Sequence, residues 1–361
     1  MYRPSLQAAA WAAALLIGGS PIADSATAGT EVVASIKPVH SLVAGVMAGI
    51  GEPHLIVRGG GSPHGFAMRP SDARALASAG LVFWIGPDME GFLDGPLDKL
   101  AGDATIVALG AAPGLTRLAV RDSGAWEGHR HDDDHGGHAH GKGRDHGDED
   151  GHDDDHGQDD AHGPDDDHDH DGDHDDAMAG PDAGRAAGET DMHLWLDPEN
   201  ARAMVRRIAT ALAAADPDNA ARYAANATAM DAGLSDLQAE LAAVLAPVRD
   251  RPFVQFHDAF QYLEARYRLN AVGSVSASPE RRPGAERLAA LRRKIADSSA
   301  VCIFAEPQFP PDLIDVVIEG SAVRTGTLDP LGADIPDGPG LYGTLMRRNA
   351  DALRRCLSPE S

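Results

Sequence analysis

The sequence is poor in cysteine, in aromatic residues and in long hydrophobic runs. Of its 361 residues, two are cysteines and 5% are aromatic. The apolar run at residues 8–17 has ten residues, which are too few to span a bilayer. Arg3 precedes this run and the small residues Ala-Thr-Ala follow it at 26–28, a pattern typical of a cleavable export signal. We therefore expect residues 1–28 to be a signal peptide and the mature protein to be exported to an oxidising compartment.

The scarcity of cysteine and of apolar runs also limits how the chain is anchored and cross-linked. No later apolar run is long enough for a membrane span, and no cysteine directly follows the first run, so we expect no lipid anchor. The two cysteines are Cys302 and Cys356. In an exported protein such a pair is most simply a disulfide, and two separate buried thiols are the alternative. A disulfide here would close a loop of about 55 residues and stabilise the fold by roughly 4 kcal/mol in the chain-entropy model.

Basic residues are scarce too, and the imbalance is concentrated in one tract. Lys and Arg number 31 against 56 Asp and Glu, and residues 129–176 hold twenty of these acids with three basic residues. Apart from two alanines the tract is apolar-free, so it cannot bury enough surface to order itself, and we expect a disordered loop. It also holds twelve of the seventeen histidines: His129, His131, His135, His138, His140, His146, His152, His156, His162, His168, His170 and His174.

Imidazole is a good ligand for Zn²⁺, Cu²⁺ and Ni²⁺, and neighbouring carboxylates add negative charge. The composition of the tract therefore predicts a set of weak metal sites. An acidic solubilising linker is the alternative interpretation, but acidic residues alone would suffice for that purpose.

Short β-rich runs alternate with helical stretches on both sides of the tract, which predicts parallel sheets covered by helices. The expected fold class is α/β, with an N-terminal lobe at 29–216, one long connecting helix within 217–248 and a C-terminal lobe at 249–361. Strands are predicted at 31–36, 53–58, 81–85, 104–109, 253–256, 271–275, 301–305 and 323–327. Helices are predicted at 39–48, 71–79, 90–100, 198–216, 219–248, 258–267, 284–296, 312–319 and 341–357.

Five histidines lie outside the tract, and three of them follow predicted strands. His64 comes after the second strand, His193 after the fourth strand and the insertion, and His257 after the first strand of the second lobe. Asp329 follows the last strand. Ligands bind at the carboxyl ends of strands in α/β proteins, and three imidazoles with one carboxylate suit tetrahedral zinc. We therefore predict a Zn²⁺ site in the cleft between the lobes.

The remaining candidates have more ordinary interpretations. His40 lies within the first predicted helix, and His54 lies at the amino end of its strand, away from the cleft. We expect both to be structural or surface residues. Glu306 also follows a strand and is a candidate general base, but a capping or hydrogen-bonding role near the cleft is favoured.

Six stretches resemble the ZnuA-type family of periplasmic zinc-binding proteins, which serve bacterial ABC importers. They are SIKPVHSL at 35–42, SPHGFAMRPSD at 62–72, MHLWLDP at 192–198, FHDAFQY at 256–262, FAEPQF at 304–309 and GTLDPLG at 326–332. The stretches span nearly all of the mature chain, and several of them together are highly specific. The resemblance implies two α/β lobes joined by one long helix, an acidic histidine loop, and a disulfide matching the two cysteines.

The same resemblance implies a ligand set. The zinc ligands of the family match His64, His193 and His257, with an acidic residue or water in the fourth position. Some members have a glutamate directly before the first ligand, but this chain has Pro63 there, which leaves Asp329 or water. Related manganese and iron binders usually have a glutamate at the position of His257, so the histidine favours zinc.

Together these observations predict a zinc receptor rather than an enzyme. We expect it to capture Zn²⁺ in the periplasm and deliver it to a membrane permease powered by a cytoplasmic ATPase. We expect a monomer with no nucleic-acid partner. A zinc buffer or chaperone acting through the acidic tract and a zinc-dependent hydrolase are the alternatives. No His-Glu-x-x-His motif supports the hydrolase, and two complete lobes would be superfluous for a buffer.

Overall fold

The computed structural model describes residues 31–121, 189–276, 284–309 and 312–359. The predicted signal peptide at 1–28 and the acidic tract at 129–176 lie outside the described residues. Among the helices of the described ranges, none is both long enough and apolar enough to cross a membrane.

The first sheet consists of four parallel strands: β1 (Val32–Ile36), β2 (His54–Val57), β3 (Leu81–Trp84) and β4 (Thr105–Ala108). Their order is β2-β1-β3-β4, and every residue of β1 is buried, as expected for a central strand covered on both faces. All four predicted strands are confirmed to within one residue at each end. Because the strand order reverses beside β1, a crevice opens at the carboxyl ends of the strands.

Four helices belong to this lobe: α1 (Lys37–Val46), α2 (Pro70–Ser78), α3 (Asp94–Leu100) and α4 (Pro198–Ala215). Helix α1 starts two residues earlier than predicted because Pro38 suits a first helical turn. Helix α2 begins one residue earlier than predicted, and Arg69 is its N-cap residue. Asp72 contributes from the third helical position, where its carboxylate accepts a hydrogen bond from the Arg69 N–H at 3.1 Å.

The helix predicted at 90–100 begins late because Glu90 turns inward. Its fully buried carboxylate accepts hydrogen bonds from Ser35 Oγ at 2.5 Å and from the N–H groups of Ile85 and Gly86 at 3.1 and 2.9 Å. A 3-10 turn, Gly91–Leu93, then leads into α3. Burial raises the pKa of Glu90 to about 7, although these hydrogen bonds act to lower it. The side chain ties the central strand β1 to the loop that follows β3.

The long helix α5 (Ala220–Leu245) has 26 residues, which corresponds to a length of about 39 Å. A 3-10 turn, Ala246–Val248, ends it because Pro247 cannot continue the helical hydrogen bonding. Its inward face packs against α4 and α1 of the first lobe. The buried residues of this face recur at helical spacing: Tyr223, Ala227, Leu234, Leu237, Leu241 and Leu245.

The second sheet repeats the organisation of the first. Its parallel strands are β5 (Phe253–His257), β6 (Ala271–Ser276), β7 (Cys302–Ala305) and β8 (Arg324–Thr327), in the order β6-β5-β7-β8. The predicted α/β fold with two parallel sheets is therefore confirmed. The helices of this lobe are α6 (Gln261–Tyr267), α7 (Ala285–Ser298), α8 (Asp312–Ile318) and α9 (Leu341–Leu357).

The sequence predicts the start of α9 in this lobe correctly, but not the start of α6. Helix α9 has its predicted bounds, whereas α6 starts three residues late because the Ala259 N–H bonds the His257 carbonyl in a turn.

A disulfide joins Cys302 of β7 to Cys356 of α9, which confirms the predicted pairing and rules out two separate thiols. The bond fixes the C-terminal helix to the sheet of its own lobe.

The largest hydrophobic cluster includes residues of both lobes, and the second lobe also has smaller clusters of its own. Buried residues of both sheets, among them Phe83 of β3 and Phe304 of β7, belong to one contiguous cluster. Helix α9 of the second lobe packs against both α5 and α1. The connecting helix is thus one of several links between the lobes.

Hydrogen bonds at the segment after the insertion add to this interface. The Trp195 indole N–H donates to the Pro330 carbonyl at 2.8 Å, and the Tyr342 hydroxyl donates to the Trp195 carbonyl at 2.7 Å. Arg266 of α6 pairs with Asp197 at 2.6 Å. These contacts oppose both sliding and opening of one lobe against the other.

We predict that the lobes move little when the cleft is occupied, because the shared core and these polar contacts would have to break. Small-angle scattering of protein lacking residues 129–176 should give the same radius of gyration, within error, with and without Zn²⁺. A Trp195→Phe variant, which loses one interlobe hydrogen bond, serves as the control. Its radius of gyration shows how a weakened interface affects the result. A clear compaction of the deletion protein on adding Zn²⁺ would contradict this prediction.

We also predict that Glu90 makes the free energy of unfolding depend on pH. Its folded pKa of about 7 lies above the unfolded value of about 4.3, so the folded protein holds the extra proton between these values. The resulting stabilisation is present at low pH and is lost as pH rises through about 7. Relative to Glu90→Gln, the wild type should lose about 3 kcal/mol between pH 5 and pH 8.

Urea denaturation of both proteins at several pH values measures this difference. Titration of the histidine-rich tract cancels because both proteins contain it. A wild-type minus variant difference that stayed constant with pH would contradict the prediction.

Candidate metal centre

Three histidines bring their ring nitrogens within 4.8 Å of one another. His64 lies in the 3-10 turn Pro63–Gly65, His193 directly precedes the turn Leu194–Leu196, and His257 is the last residue of β5. Their ring centroids are 5.3 to 6.1 Å apart. In the part of the chain that the structure describes, no second group of three or more His, Cys, Asp or Glu side chains has such spacing.

The loop that carries His64 is shaped by its small residues. Gly59 has a φ of +61°, in the left-handed region that glycine adopts without strain. Ser62 then caps the short turn by accepting a hydrogen bond from the His64 N–H at 3.3 Å, and Pro63 fixes the first position of the turn. The loop thus turns the histidine from the end of β2 into the cleft.

The facing ring nitrogens have the spacing of ligands on one ion. His193 Nε2 and His257 Nε2 are 3.4 Å apart. Two nitrogens bound to tetrahedral zinc at about 2.0–2.1 Å are about 3.3–3.4 Å from each other. When the rings are neutral, the Nε2 atom of each can carry a lone pair toward the space between them. The arrangement therefore fits a shared Zn²⁺ without rearrangement of these two rings.

Each of these two histidines also contacts a buried carboxylate. Asp191 Oδ1 accepts hydrogen bonds from the His193 ring Nδ1 at 2.8 Å and from its backbone N–H at 3.0 Å. Glu306 Oε1 accepts the same pair from His257, at 2.7 Å and 3.0 Å. The sequence interpretation did not assign Asp191 a function, although it stands two residues before His193, and it favoured a hydrogen-bonding role for Glu306 without naming its partner.

The centre is enclosed and acidic in character. His193 and His257 are 8% and 5% exposed, and His64 is partly buried. Burial lowers the pKa of His257, but the charge and hydrogen bond of Glu306 raise it more, so its pKa lies above the ordinary value. The cavity around the rings is lined mainly by apolar groups: Pro63, Trp195, Phe309, Pro330 and Leu331.

The structure does not bring Asp329 into this cluster. Its carboxylate accepts a hydrogen bond from Gln308 Nε2 at 2.9 Å, and its position holds the loop that places Pro330 against the cavity. It also accepts from three backbone N–H groups, at 2.6 to 3.0 Å, those of Leu331, Gly332 and Ala333. These four hydrogen bonds engage both carboxylate oxygens, so the Asp329 side chain stabilises its own loop.

The other two histidines outside the tract lie apart from the centre. His40 is buried, and its Nε2 lies 3.0 Å from the Pro53 carbonyl. Burial lowers the pKa of His40. His54 is the first residue of β2, and its Nε2 lies 3.2 Å from the buried Asp72 carboxylate. Neither belongs to the cluster of three, in agreement with the expectation that both are structural or surface residues.

The chain leaves for the insertion and returns from it directly beside the centre. Ala119 and Thr190 form an antiparallel bridge, three residues before His193. On the outgoing side, Arg121 pairs with Asp258, the neighbour of His257, and with Glu264 at 2.8 Å. Both ends of the insertion are therefore fixed at the mouth of the cleft.

Comparison with known proteins places the whole described chain in one group. The family model for the zinc-uptake complex component A, periplasmic, matches residues 32–356. The high-affinity zinc uptake system protein ZnuA of Brucella suis is 48% identical over 327 residues, which cover 91% of each chain. The protein of the same name from Yersinia pestis is 34% identical over 330 residues, covering 91% of this chain and 92% of its own.

Solved structures share the fold. A crystal structure of a ZnuA protein superposes with a TM-score of 0.66 at 20% identity, and the match covers 91% of this chain and all of the other. A structure of FpvC from Pseudomonas aeruginosa in complex with Mn²⁺ superposes with a TM-score of 0.67 at 18% identity. The two-sheet architecture is therefore common to receptors of diverged sequence.

Proposed function

This chain belongs to the periplasmic zinc-uptake component A family, and on that premise we propose that it captures Zn²⁺ in the periplasm for a membrane ABC permease, which a cytoplasmic ATPase powers. Zinc is the cargo of this receptor. The observation that carries the proposal is the convergence of three imidazoles, with two Nε2 atoms 3.4 Å apart, in an enclosed cavity. That spacing suits tetrahedral zinc.

The proposed ligands are His64, His193 and His257, with water in the fourth position. Asp329 was the other candidate, but its four hydrogen bonds to Gln308 and to its own loop favour a structural role. Glu306 was the candidate general base of a zinc hydrolase, and that carboxylate is engaged by His257. Binding and delivery of the ion therefore fit the centre better than catalysis.

The domain boundaries follow the same proposal. Lobes at 29–216 and 249–361 each supply part of the ligand set, and the connector at 217–248 lies along both. An export signal at 1–28 and the disulfide both suit a periplasmic protein, because disulfides persist in oxidising compartments. We propose a monomer, since the ligand set is complete within one chain.

The acidic tract at 129–176 gathers zinc near the centre in this proposal. Its histidines and carboxylates form several weak sites, and both ends of the insertion are held beside His193. An ion released from the tract therefore starts at a high effective concentration near the cleft. The tract either passes zinc to the main site or reports zinc excess, without supplying ligands to that site.

We predict that replacing any one of His64, His193 and His257 by alanine weakens zinc binding by orders of magnitude. Each change removes a side chain that would bind the ion directly, and a mobile water replaces it poorly. Asp329→Ala should have a much smaller effect. Competition with a zinc chelator, on protein lacking 129–176, measures the affinity.

His54→Ala is the matched control, because His54 is also paired with a carboxylate but lies outside the centre. It should bind zinc as the wild type does. Wild-type affinity in His64→Ala or His257→Ala would refute the ligand assignment.

We predict that deleting residues 129–176 removes the weak binding events and leaves one tight site. All three proposed ligands lie outside the deleted tract, so the tight site keeps its geometry. Titration calorimetry of the full chain and of the deletion protein separates the two classes of site. If the deletion protein stayed folded but lost tight binding, the tract would have to supply a ligand to the main site.

A further inference from the structure

We infer that Asp191 and Glu306 are positioning residues of the zinc centre, each holding one ligand histidine in its binding orientation and together supplying two negative charges opposite the ion. This inference rests on the proposed function. It assigns a purpose to two buried carboxylates that hold no ligand position of their own.

The first support is that the two contacts have the same geometry. In each, one carboxylate oxygen accepts from both the ring Nδ1 and the backbone N–H of the same histidine, at 2.7 to 3.0 Å. Two bonds to one residue restrain both the side-chain torsions and the plane of the ring. Asp191 reaches its partner within one loop, whereas Glu306, directly after β7, reaches a residue 49 positions away in the adjacent β5.

The second support is the tautomer that these bonds select. A carboxylate is an acceptor, so each Nδ1 must carry the proton, and the lone pair of the neutral ring is then on Nε2. The two Nε2 atoms face each other at 3.4 Å. A ligand histidine commonly donates its second nitrogen to a carboxylate in this way, which raises the basicity of the nitrogen on the metal.

The third support is charge. Asp191 and Glu306 are 5% and 3% exposed, and the second oxygen of each, Oδ2 and Oε2, is buried without a hydrogen-bond partner within the described residues. A buried carboxylate oxygen without a donor is unfavourable. The penalty is offset if the two negative charges balance a divalent cation held by neutral imidazoles.

Asp191 is itself held by the opposite lobe. The Tyr262 hydroxyl of α6 donates to the Asp191 carbonyl at 2.6 Å and accepts from the Leu118 N–H at 3.0 Å. Tyr262 of the second lobe therefore holds the loop that carries Asp191. The Asp191 carboxylate in turn orients His193 of the first lobe. Orientation of His193 thus depends on both lobes, whereas His257 and Glu306 both belong to the second lobe.

The test uses protein lacking 129–176 and four variants: Asp191→Ala, Asp191→Asn, Glu306→Ala and Glu306→Gln. Zinc affinity is measured by chelator competition, and the ligand geometry by the visible absorption spectrum of the Co²⁺-loaded protein. Each alanine variant should bind zinc about 10- to 100-fold more weakly and change the Co²⁺ spectrum. The amide variants keep an acceptor oxygen, so they should keep the spectrum and lose affinity through charge alone.

Asp72→Asn is the matched control, because Asp72 is a fully buried carboxylate paired with a histidine, His54, that lies outside the centre. It should leave zinc affinity and the Co²⁺ spectrum unchanged. Wild-type affinity and spectrum in both alanine variants would overturn the inference. If an alanine variant does not fold, as judged by circular dichroism, its amide variant decides: lower zinc affinity supports the inference and wild-type affinity overturns it.

This outcome is separable from failure of the proposed function. Loss of zinc binding in His64→Ala, together with wild-type behaviour of the Asp191 and Glu306 variants, would overturn only the positioning role. Wild-type zinc binding in His64→Ala and His257→Ala would instead remove the centre itself.

Discussion

One geometric constraint governs this molecule: imidazoles carried by two different lobes must meet within 4.8 Å. His64 and His193 come from the first lobe and His257 from the second, so sliding of one lobe over the other would separate their nitrogens. One hydrophobic cluster includes residues of both lobes, and the bonds of Trp195 add directional contacts across the interface. The long helix α5 packs along both lobes, and so reinforces an interface that is already closed.

Buried carboxylates repeatedly accept hydrogen bonds from backbone N–H groups in this fold. Glu90 accepts from the N–H groups after β3, Glu306 from the N–H at the end of β5, and Asp191 from the N–H of His193. Backbone N–H groups that leave a sheet lose their ladder partners and must be satisfied by other acceptors when buried. A side-chain carboxylate satisfies them, and those of Asp191 and Glu306 also lie next to histidines of the centre.

Local sequence could predict the elements and the three histidines, because buried strands, helix-breaking residues and strand ends all leave local patterns. It could not predict which side chains meet. The contact of Glu306 with His257 depends on β5 and β7 being neighbours, and strand order is a property of the whole sheet. Asp329 follows a strand just as His64 does, but its carboxylate turns toward the N–H groups of its own loop. A position after a strand predicts that a residue lies near the cleft. The direction of its side chain depends on which hydrogen-bond donors are nearby.

The antiparallel bridge between Ala119 and Thr190 lets the insertion change without affecting the binding site. Because the bridge joins the two ends, the residues between them can be gained, lost or exchanged without shifting the register of the loop that carries His193. The entropy of closing a chain segment changes only with the logarithm of its length, so such changes perturb stability little. The composition of this insertion can thus change while the two lobes keep the arrangement that brings the three histidines together.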